Sequence, residues 1–453
     1  MHLHILGIAG TFMGGIAALA KSLGHRVTGA DQNIYPPMST QLEALGIELI
    51  EGWHVAQLDP APDLVVIGNV MSRGNPLLEE VLNRGLPYVS GPQWLAEHVL
   101  AGRWVMAVAG THGKTTTTSI LAFLLDRAGL EPGFLIGGIA GDFGVSARLG
   151  RAPFFVVEAD EYDTAFFDKR AKFVHYRPRT LILNNLEYDH ADIYPDMASI
   201  RRQFHHLVRT VPGAGALIVN GGAEELKTTL AMGAWTPVTE FGDRPEFHWS
   251  VRPAVPDWSG FDVLEAGTPV ASVRWSLLGR HNAENALAAM LAARHAGVPV
   301  SQSAALLGAF AGVKRRLEVR GTARGVTVYD DFAHHPTAIA LTLAGLRAKV
   351  GSARILAVLE PRSNSMKLGA HQAALAGSLA AADRVYLYAP PNLGWDLAAV
   401  VAEIGARAAT DVSIDALASR IASEARPGDH VLVMSNGAFG GLHALLLERL
   451  GAT

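Results

Sequence analysis

Short apolar segments alternate with amphipathic segments along most of the chain, which is the pattern of a parallel β-sheet covered by helices. In the first hundred residues, strands are predicted at Leu3–Ile8, His25–Gly29, Leu64–Gly68 and Leu86–Ser90, and helices at Ile16–Leu23 and Pro76–Arg84. Residues 1–102 are therefore expected to form one domain of the βαβ nucleotide-binding type.

The same alternation of strands and helices continues through two further segments. In residues 103–312, strands are predicted at Trp104–Ala109, Phe154–Glu158, Thr180–Asn184 and Gly215–Asn220, with a helix at Asn282–Ala296. Residues 236–276, rich in proline and tryptophan, predict a small antiparallel addition. In residues 313–453, strands are predicted at Val326–Tyr329, Arg354–Leu359, Arg384–Tyr388 and His430–Met434, and helices at Ile339–Ala348 and Gln372–Ala381. The sequence therefore predicts an α/β protein of three domains.

Length and composition agree with that organisation. A chain of 453 residues corresponds to about three domains of roughly 150 residues each. A net charge of −4 without a long run of either sign argues against nucleic-acid and membrane partners. The absence of cysteine excludes disulfides and thiolate chemistry. No secretory signal or long apolar span is evident, so we expect a cytoplasmic protein.

The segment from residue 110 to 117, Gly-Thr-His-Gly-Lys-Thr-Thr-Thr, carries the strongest chemical signal. It lies between a predicted strand and a predicted helix, which is the context of a phosphate-binding loop. Gly110 and Gly113 allow the backbone N–H groups to turn inward, and the helix N-terminus favours an anion. Lys114 supplies a charge for the β- and γ-phosphates, and the Thr115 hydroxyl can bind Mg²⁺. A nucleotide-binding site is predicted, although the two glycines are closer together than in the general motif.

A second glycine-rich loop, from Gly7 to Gly15, follows the first predicted strand. It departs from the dinucleotide fingerprint, because Ala9 occupies the position of the second glycine. Gly10 and Gly14 still leave room for a diphosphate at the helix N-terminus, and Asp31 can accept a hydrogen bond from a ribose hydroxyl. The residues alone fit bound NAD, a bound UDP-sugar or a structural turn.

Polar residues follow two strands near the phosphate loop. Glu158 ends one strand, and His190 follows the next in the segment Asn-Asn-Leu-Glu-Tyr-Asp-His. Because ligands bind at the carboxyl edge of such sheets, both side chains are expected to face the phosphates with Thr115 and to hold Mg²⁺. Asp160, Glu161 and Asp163 are weaker candidates, since they fit a solvated acidic turn equally well.

Two more polar clusters lie further along the chain. Asn282 is predicted to cap the helix that follows Gly279, and Asn285 to project from its first turn. The segment from Asp330 to His335 combines two carboxylates with two histidines at the end of a strand. It fits a metal site or a nucleotide contact, and the spacing alone does not decide between them.

Taken together, these motifs resemble one family, the Mur ligases, which form amide bonds with ATP in peptidoglycan assembly. The resemblance spans nearly the whole chain and depends on the order of the following elements: Gly110–Thr117, Glu158, Asp189-His190, the segment His281–Asn285, Arg316 and Asp331. It implies a Rossmann-like first domain, a central domain of the P-loop ATPase type and a Rossmann-like third domain. It also implies Mg²⁺ as cofactor and ATP as co-substrate.

The resemblance also implies roles for individual residues. ATP is expected at Gly110, Thr111, His112, Gly113, Lys114, Thr115, Thr116, Asn285, Arg316 and Asp331. A UDP-sugar is expected at Gly7, Gly10, Thr11, Met13, Gly14, Asp31, Asn69, Ser72 and Asn75. The implied catalytic residues are Lys114, Glu158, His190, Arg316, Asp331 and His334, and the implied metal ligands are Thr115, Glu158 and His190.

Within the family, the segments Gly10–Gly15, Tyr35–Glu43 and Glu360–Lys367 resemble members that join UDP-N-acetylmuramate to L-alanyl-γ-D-glutamyl-meso-diaminopimelate in peptidoglycan recycling. The alternative is a member that adds L-alanine. Loops after two strands of the third domain are expected to bind the tripeptide through Arg362, Asn364, Lys367 and Asn392. An acyl phosphate is the expected intermediate, and a monomer or weak homodimer the expected state.

One departure from the family is also expected. Several Mur ligases carry a carbamylated lysine about fifteen residues after the metal-binding histidine. The corresponding segment here is Gln203-Phe-His-His206. We therefore predict that this chain has no carbamylated lysine.

Overall fold

The computed structural model describes residues 1–35, 38–151, 153–391 and 393–452. Their strands form three main sheets and one separate hairpin. Within these ranges, no helix combines the length and the apolar character needed to cross a bilayer. The predicted α/β class is confirmed, and the domain boundaries at residues 102 and 312 remain predictions.

The first sheet is entirely parallel. Its strands are β1 His2–Leu6, β2 Arg26–Asp31, β3 Glu48–Glu51, β4 Leu64–Ile67 and β5 Tyr88–Ser90. Its helices are α1 Thr11–Ser22, α2 Met38–Ala44, α3 Pro76–Asn83 and α4 Gly91–Leu95. The order β3-β2-β1-β4-β5 reverses direction between β1 and β4, so the loops after these two strands border a crevice.

The second sheet has ten strands in the order β17-β16-β15-β14-β13-β12-β6-β9-β7-β8. They are β6 Trp104–Ala109, β7 Gly133–Leu135, β8 Ala147–Arg148, β9 Phe154–Ala159, β12 Thr180–Leu183, β13 Ala216–Asn220, β14 Val238–Gly242, β15 Trp249–Pro253, β16 Gly260–Glu265 and β17 Thr268–Arg274. The separate hairpin consists of β10 Asp163–Ala165 and β11 Asp168–Ala171. The helices are α5 Lys114–Arg127, α6 Met197–Val208, α7 Glu224–Ala231, α8 Arg280–His295 and α9 Val300–Leu306.

The antiparallel addition predicted near residues 236–276 extends the edge of this sheet. Strands β15, β16 and β17 are antiparallel neighbours, but β14 pairs in parallel with β13 and belongs to the main sheet. The prediction is therefore correct for the last three strands and wrong for the first.

Helices α5 and α8 pack against each other on one face of this sheet. The small alanine side chains of α8, including Ala283, Ala286 and Ala289, are fully buried and allow a close approach. Helix α8 begins at Arg280 after Gly279, and no side chain caps it. The prediction that Asn282 caps this helix is wrong, since its amide instead donates to the carbonyl of Leu278 at 2.7 Å.

The third sheet has the order β18-β19-β23-β20-β21-β22. Its strands are β18 Glu318–Ala323, β19 Val326–Asp331, β20 Ile355–Leu359, β21 Arg384–Tyr388, β22 Ala408–Asp411 and β23 His430–Met434. Its helices are α10 Pro336–Val350, α11 Asn364–Lys367, α12 Gln372–Ser378, α13 Ala398–Ile404, α14 Ile414–Glu424 and α15 Leu442–Ala452. Apart from β18, the strands are parallel, and a buried apolar cluster covers each face.

Candidate active site

The loop between β6 and α5 has the backbone that a phosphate-binding loop requires. Gly113 lies at φ 77° and Gly110 at φ 148°, conformations that residues with a Cβ rarely adopt. A Cβ on Gly113 would lie 2.6 Å from Oδ1 of Asn285, and one on Gly110 would lie 3.2 Å from the backbone of Asn185. Both positions therefore require glycine, and Lys114 opens helix α5 directly after the turn.

Lys114 is paired with a carboxylate of the acidic turn after β9. Its Nζ lies 2.6 Å from Glu161, whose side chain is 2 % exposed. Burial alone lowers the pKa of Lys114, but Glu161 and Asp160 outweigh burial and raise it. The lysine is therefore a cation, placed where a nucleotide phosphate would compete with Glu161 for it.

Glu158 and Thr115 form a hydrogen-bonded pair beside this lysine. The Thr115 hydroxyl donates to Glu158 at 3.0 Å, and the backbone N–H of Gly137 donates to the other carboxylate oxygen at 2.7 Å. Burial raises the pKa of Glu158. Carboxylate and hydroxyl oxygens are donors that suit Mg²⁺, so the predicted pair fits that ion.

His190 has a different partner from the predicted one. Its Nε2 lies 3.0 Å from Glu161, and a group of possible metal ligands contains His190, Glu161 and Asp160 but not Glu158. Burial alone lowers the pKa of His190, but the hydrogen bond with Glu161 helps to raise it. The interpretation of Glu161 as part of a solvated turn is wrong, because this residue is buried between Lys114 and His190.

A second group of possible ligands lies on the other side of the loop. Glu187 contacts His112 at 3.5 Å and His335 at 3.6 Å, and it accepts a hydrogen bond from the Thr337 hydroxyl at 2.6 Å. Burial alone raises the pKa of Glu187, but these neighbours bring it to about 2. His335 is the N-cap of α10, and Thr337 lies in the first turn of that helix. The cluster therefore joins the phosphate loop to the third domain.

A cavity of about 560 Å³ opens between the phosphate loop, α8 and the third domain. Its walls include the predicted nucleotide residues Gly113, Thr116, Asn285, Arg316 and Asp331. Glu284 also lines it, and burial raises the pKa of this carboxyl to about 7. Six of the ten residues predicted for the ATP site, these five and His112, therefore line one space.

Arg316 and Asp331 reach this cavity in different ways. Asp331 is held by the backbone N–H groups of Leu317 at 2.7 Å and Ala333 at 2.8 Å, so it also fixes the turn after β19. The guanidinium of Arg316 lies over the Phe332 ring, 5.0 Å from its centroid. His334 contacts the carbonyl of Phe332 through Nδ1 at 3.0 Å, and burial lowers its pKa to about 4. A neutral His334 can accept or donate a hydrogen bond at neutral pH.

The loop after β1 lies in the crevice of the first sheet. No side chain caps helix α1, so the N–H groups of its first turn are available to an anion. Met13 instead turns into the core, where it is 5 % exposed. Asp31 accepts from the backbone N–H of Ala9 at 3.0 Å and so fixes the loop.

The loop after β4 completes the crevice. Asn69 and Ser72 are exposed there. The side chain of Asn75 caps α3 by accepting from the N–H groups of Leu77 and Leu78. The structure thus gives Asn75 a structural role, and the UDP-sugar contacts of all three residues remain predictions.

The predicted peptide residues have different surroundings. Arg362 is half-exposed and packs against Gly437 in the loop after β23. Asn364 donates to Asp192 of the central domain at 2.7 Å, so it contributes to the junction between domains. Lys367 is partly buried at the end of α11. Asn392 lies outside the described residues.

Two carboxylates of the site carry little signal in the sequence. Glu161 lies in an acidic turn of the kind that is usually solvated, and Glu187 is not among the predicted site residues. A signal for Glu187 exists, since it lies in the same segment as His190, three residues before it. No comparable signal reveals that Glu161 is buried, because its burial depends on segments distant in the chain, such as the Tyr194 hydroxyl that donates to its carbonyl.

Comparison with known proteins covers all three segments. Family models match as the Mur ligase family catalytic domain at residues 2–103, the Mur ligase middle domain at 108–293 and the Mur ligase glutamate ligase domain at 315–437. The chain is 57 % identical to UDP-N-acetylmuramate–L-alanyl-γ-D-glutamyl-meso-2,6-diaminoheptandioate ligase of Escherichia coli K12, over 99 % of this chain and 98 % of the relative. It is 33 % identical to UDP-N-acetylmuramate–L-alanine ligase of Salinispora arenicola, over 99 % of this chain and 88 % of the relative. A crystal structure of a murein peptide ligase from Psychrobacter arcticus 273-4 matches with a TM-score of 0.78 at 48 % identity, covering 100 % of this chain and 99 % of the other.

Proposed function

The chain belongs to the Mur ligase family, and we propose that it is an ATP-dependent ligase that joins UDP-N-acetylmuramate to L-alanyl-γ-D-glutamyl-meso-diaminopimelate. The observation that carries this proposal is the 57 % identity to the Escherichia coli ligase for this tripeptide over nearly the full length of both chains. The relatives that add L-alanine are more distant, at 33 % for the Salinispora enzyme. The reaction would serve the recycling of peptidoglycan peptides.

The proposed mechanism proceeds through an acyl phosphate. The lactyl carboxylate of the muramic acid attacks the γ-phosphorus of ATP, and ADP leaves. The neutral amine of the peptide then attacks the acyl carbon, the tetrahedral intermediate loses the amine proton to solvent, and phosphate leaves as the C–O bond to it breaks. Positioning and charge neutralisation supply most of the catalysis in such transfers, and Lys114 and Arg316 are the cations proposed for this role.

The proposed metal is Mg²⁺, and Glu158, Thr115 and His190 are the residues that would hold it. The oxygen donors of the first two residues support this assignment, and the ion would neutralise phosphate charge. Glu158→Gln should shift the Mg²⁺ dependence of turnover to higher concentration. An unchanged Mg²⁺ titration would show that Glu158 is not a ligand.

The remaining assignments are also proposals. ATP would occupy the cavity between the phosphate loop and the third domain, and the UDP-sugar would occupy the crevice of the first sheet. The junction contacts of Asn364 and Thr337 support a closed third domain during turnover. A cytoplasmic location and a monomer or weak homodimer remain predictions.

A phosphate-release assay tests the function directly. The purified enzyme is supplied with ATP, Mg²⁺ and UDP-N-acetylmuramate, and the amine is varied between the tripeptide, L-alanine and no amine. We expect efficient release with the tripeptide and little with L-alanine. Comparable kcat/KM for the two amines would refute the tripeptide assignment in favour of the L-alanine ligase.

Arg362 offers a sharper version of this test. Its guanidinium lies at the carboxyl edge of the third sheet beside the loop after β23, where a carboxylate of the peptide is expected. Arg362→Ala should cost roughly 2–5 kcal/mol in kcat/KM for the tripeptide. If residual activity with L-alanine falls by the same factor, the residue serves the acyl phosphate and not the peptide.

A further inference from the structure

The hairpin of β10 and β11 contacts both the central and the first domain. At its tip, the Phe167 ring lies 5.2 Å from the ring of Tyr88 in the first sheet. At its end, Lys172 follows β11 and opens a short 3₁₀ turn. The hairpin therefore carries Lys172 to the boundary between the two domains.

Lys172 is a buried lysine with an unusual set of neighbours. Its side chain is 8 % exposed, and its Nζ lies 3.0 Å from Asp160. The same ammonium lies 5.5 Å from the ring centroid of Phe12 and 5.6 Å from that of Tyr162. Phe12 belongs to the first domain, whereas Tyr162 and Asp160 belong to the central domain.

The hydrogen bonds of this ammonium are incomplete. A lysine ammonium has three N–H donors, and among the described residues only Asp160 accepts one. The two rings attract the cation, but they are not conventional hydrogen-bond acceptors. Because buried polar groups are nearly always paired, two uncommitted donors at this depth indicate a binding position for an anion.

The neighbours of Lys172 also define where this anion would lie. Phe12 is in the first turn of α1, whose uncapped N–H groups face the crevice of the first domain. Tyr162 packs against the ring of His190 at 4.3 Å, and Asp160 directly precedes Glu161, the partner of Lys114. The ammonium thus lies between the glycine loop of the first domain and the phosphate loop.

We propose that Lys172 binds an anionic group of the UDP-sugar substrate where that substrate crosses from the first domain to the phosphate loop. The proposal rests on the function proposed above. The shared chemistry is an anionic oxygen, supplied either by the diphosphate or by the lactyl carboxylate. If Lys172 only balanced the charge of Asp160, it would have no effect on substrate affinity beyond its effect on folding.

Calorimetric titration without ATP tests the proposal on the full-length enzyme. UDP-N-acetylmuramate is titrated into the wild type, Lys172→Met and the control Lys169→Met. Lys169 lies on the same hairpin, but its side chain is 69 % exposed and, within the part of the chain that the structure describes, its ion pair is with Asp163 alone. We expect Lys172→Met to raise the Kd about 10- to 100-fold, as for a charge-assisted hydrogen bond, and the control to leave it unchanged.

A second ligand identifies the anion. UDP-N-acetylglucosamine carries the diphosphate but lacks the lactyl carboxylate. If Lys172→Met weakens both ligands, Lys172 binds the diphosphate; if it weakens only UDP-N-acetylmuramate, Lys172 binds the carboxylate. A Kd for UDP-N-acetylmuramate within about twofold of wild type in Lys172→Met would overturn the proposal. Failure of the wild type itself to bind UDP-N-acetylmuramate would contradict the proposed function instead.

A double variant separates binding from structure. Lys172→Met leaves Asp160 without its partner, so the loss could come from a disturbed site. Asp160→Asn combined with Lys172→Met removes both charges of the pair. The proposal expects the weak binding to persist in this double variant, with a melting temperature close to that of wild type. Restored affinity in the double variant would show that Lys172 acts only through Asp160.

Discussion

The two glycine-rich loops of this protein share a sequence pattern but use their glycines differently. Each follows a strand and leads into a helix, α1 in the first domain and α5 in the central domain. In the second loop, Gly110 and Gly113 adopt positive φ values, and a lysine follows them. In the first loop, only Gly7 has a positive φ, of 82°, whereas Gly14 and Gly15 allow close packing: a Cβ would lie 2.3 Å from the Met38 side chain and 2.2 Å from the Leu135 side chain, respectively.

This difference shows what a glycine motif can establish. Glycine spacing predicts that a loop and a helix pack closely, but it does not distinguish a phosphate contact from a packing contact. The distinction comes from the charged groups around the loop. The second loop has Lys114 with three carboxylates nearby, whereas the buried cation beside Phe12 of the first loop, Lys172, belongs to the central domain.

The largest effect should come from Lys114→Ala. The loop glycines shape the turn and the lysine supplies charge, so the fold should remain, at a lower stability because Glu161 loses its buried partner, while turnover falls by about 100-fold or more. Steady-state phosphate release measures the loss. Lys21→Ala, on the exposed end of the helix after the first loop, is the matched control and should keep wild-type rates. Activity above about a tenth of wild type in Lys114→Ala would break the assignment of the second loop.

Gly113→Ala should have the next largest effect and should be specific to nucleotide. The variant combines a strained φ of 77° with a contact of 2.6 Å to Asn285. Strain of this kind costs about 1–3 kcal/mol, so the KM for ATP should rise about tenfold. The Kd of UDP-N-acetylmuramate, measured without ATP, should stay within about twofold. An equal loss for both ligands would contradict separate roles for the two loops.

Gly15→Ala should have a smaller effect, and it should act on stability. An added methyl group would press on Leu135, which is 2 % exposed, at the contact between the first and central domains. Overpacking of this kind costs about 1–3 kcal/mol, so the apparent melting temperature should fall by a few degrees. The KM for ATP should not change. A variant with normal stability and impaired ATP binding would reverse the roles assigned to the glycines.

The smallest effect concerns pH and Glu284, which lies on α8 behind the second loop. Burial raises its pKa to about 7 from 4.5, so the folded protein binds more protons than the unfolded chain between these values. Glu284 makes its full contribution to the free energy of unfolding below about pH 4.5, where it is protonated in both states. This contribution is lost as the pH rises through 7 and the buried carboxyl must ionise. Glu284→Gln removes this loss and should be stabilised relative to wild type by about 1–2 kcal/mol at high pH but not at low pH. Thermal melting at about pH 5 and pH 8 measures the difference. An equal shift at both values would show that Glu284 does not titrate in this range.

Much of the fold was predictable because its strands are buried on both faces and read as continuous apolar runs. The prediction for β6 matches its observed limits, Trp104–Ala109. The edge strands β18 and β22 were missed, since Glu318–Ala323 and Ala408–Asp411 contain many polar or small residues. Edge strands lack the apolar signal because one side and often one face are exposed to solvent.

The site was predictable only where a motif fixes chemistry and geometry together. The positions of Lys114 and Thr115 follow from the loop, and that of Glu158 follows from the end of a strand, whereas their roles remain proposals. The partner of His190 did not follow, because the choice between Glu158 and Glu161 depends on how the turn after β9 folds back. The predicted cap of α8 is wrong for a similar reason. Gly279, at φ 85°, is itself the N-cap, so Asn282 already lies in the first turn of the helix.

The ion pair of Lys114 with Glu161 has a consequence for how ligands affect each other. A phosphate that binds Lys114 would share this cation with Glu161 and so weaken the pairing of a buried carboxylate. A divalent ion held nearby, as proposed, would offset that cost by its positive charge. Nucleotide and metal would then favour each other thermodynamically, and by reciprocity each would raise the affinity for the other by the same factor. Without ligands, the charge of Glu161 is balanced by Lys114 alone among the proposed cations.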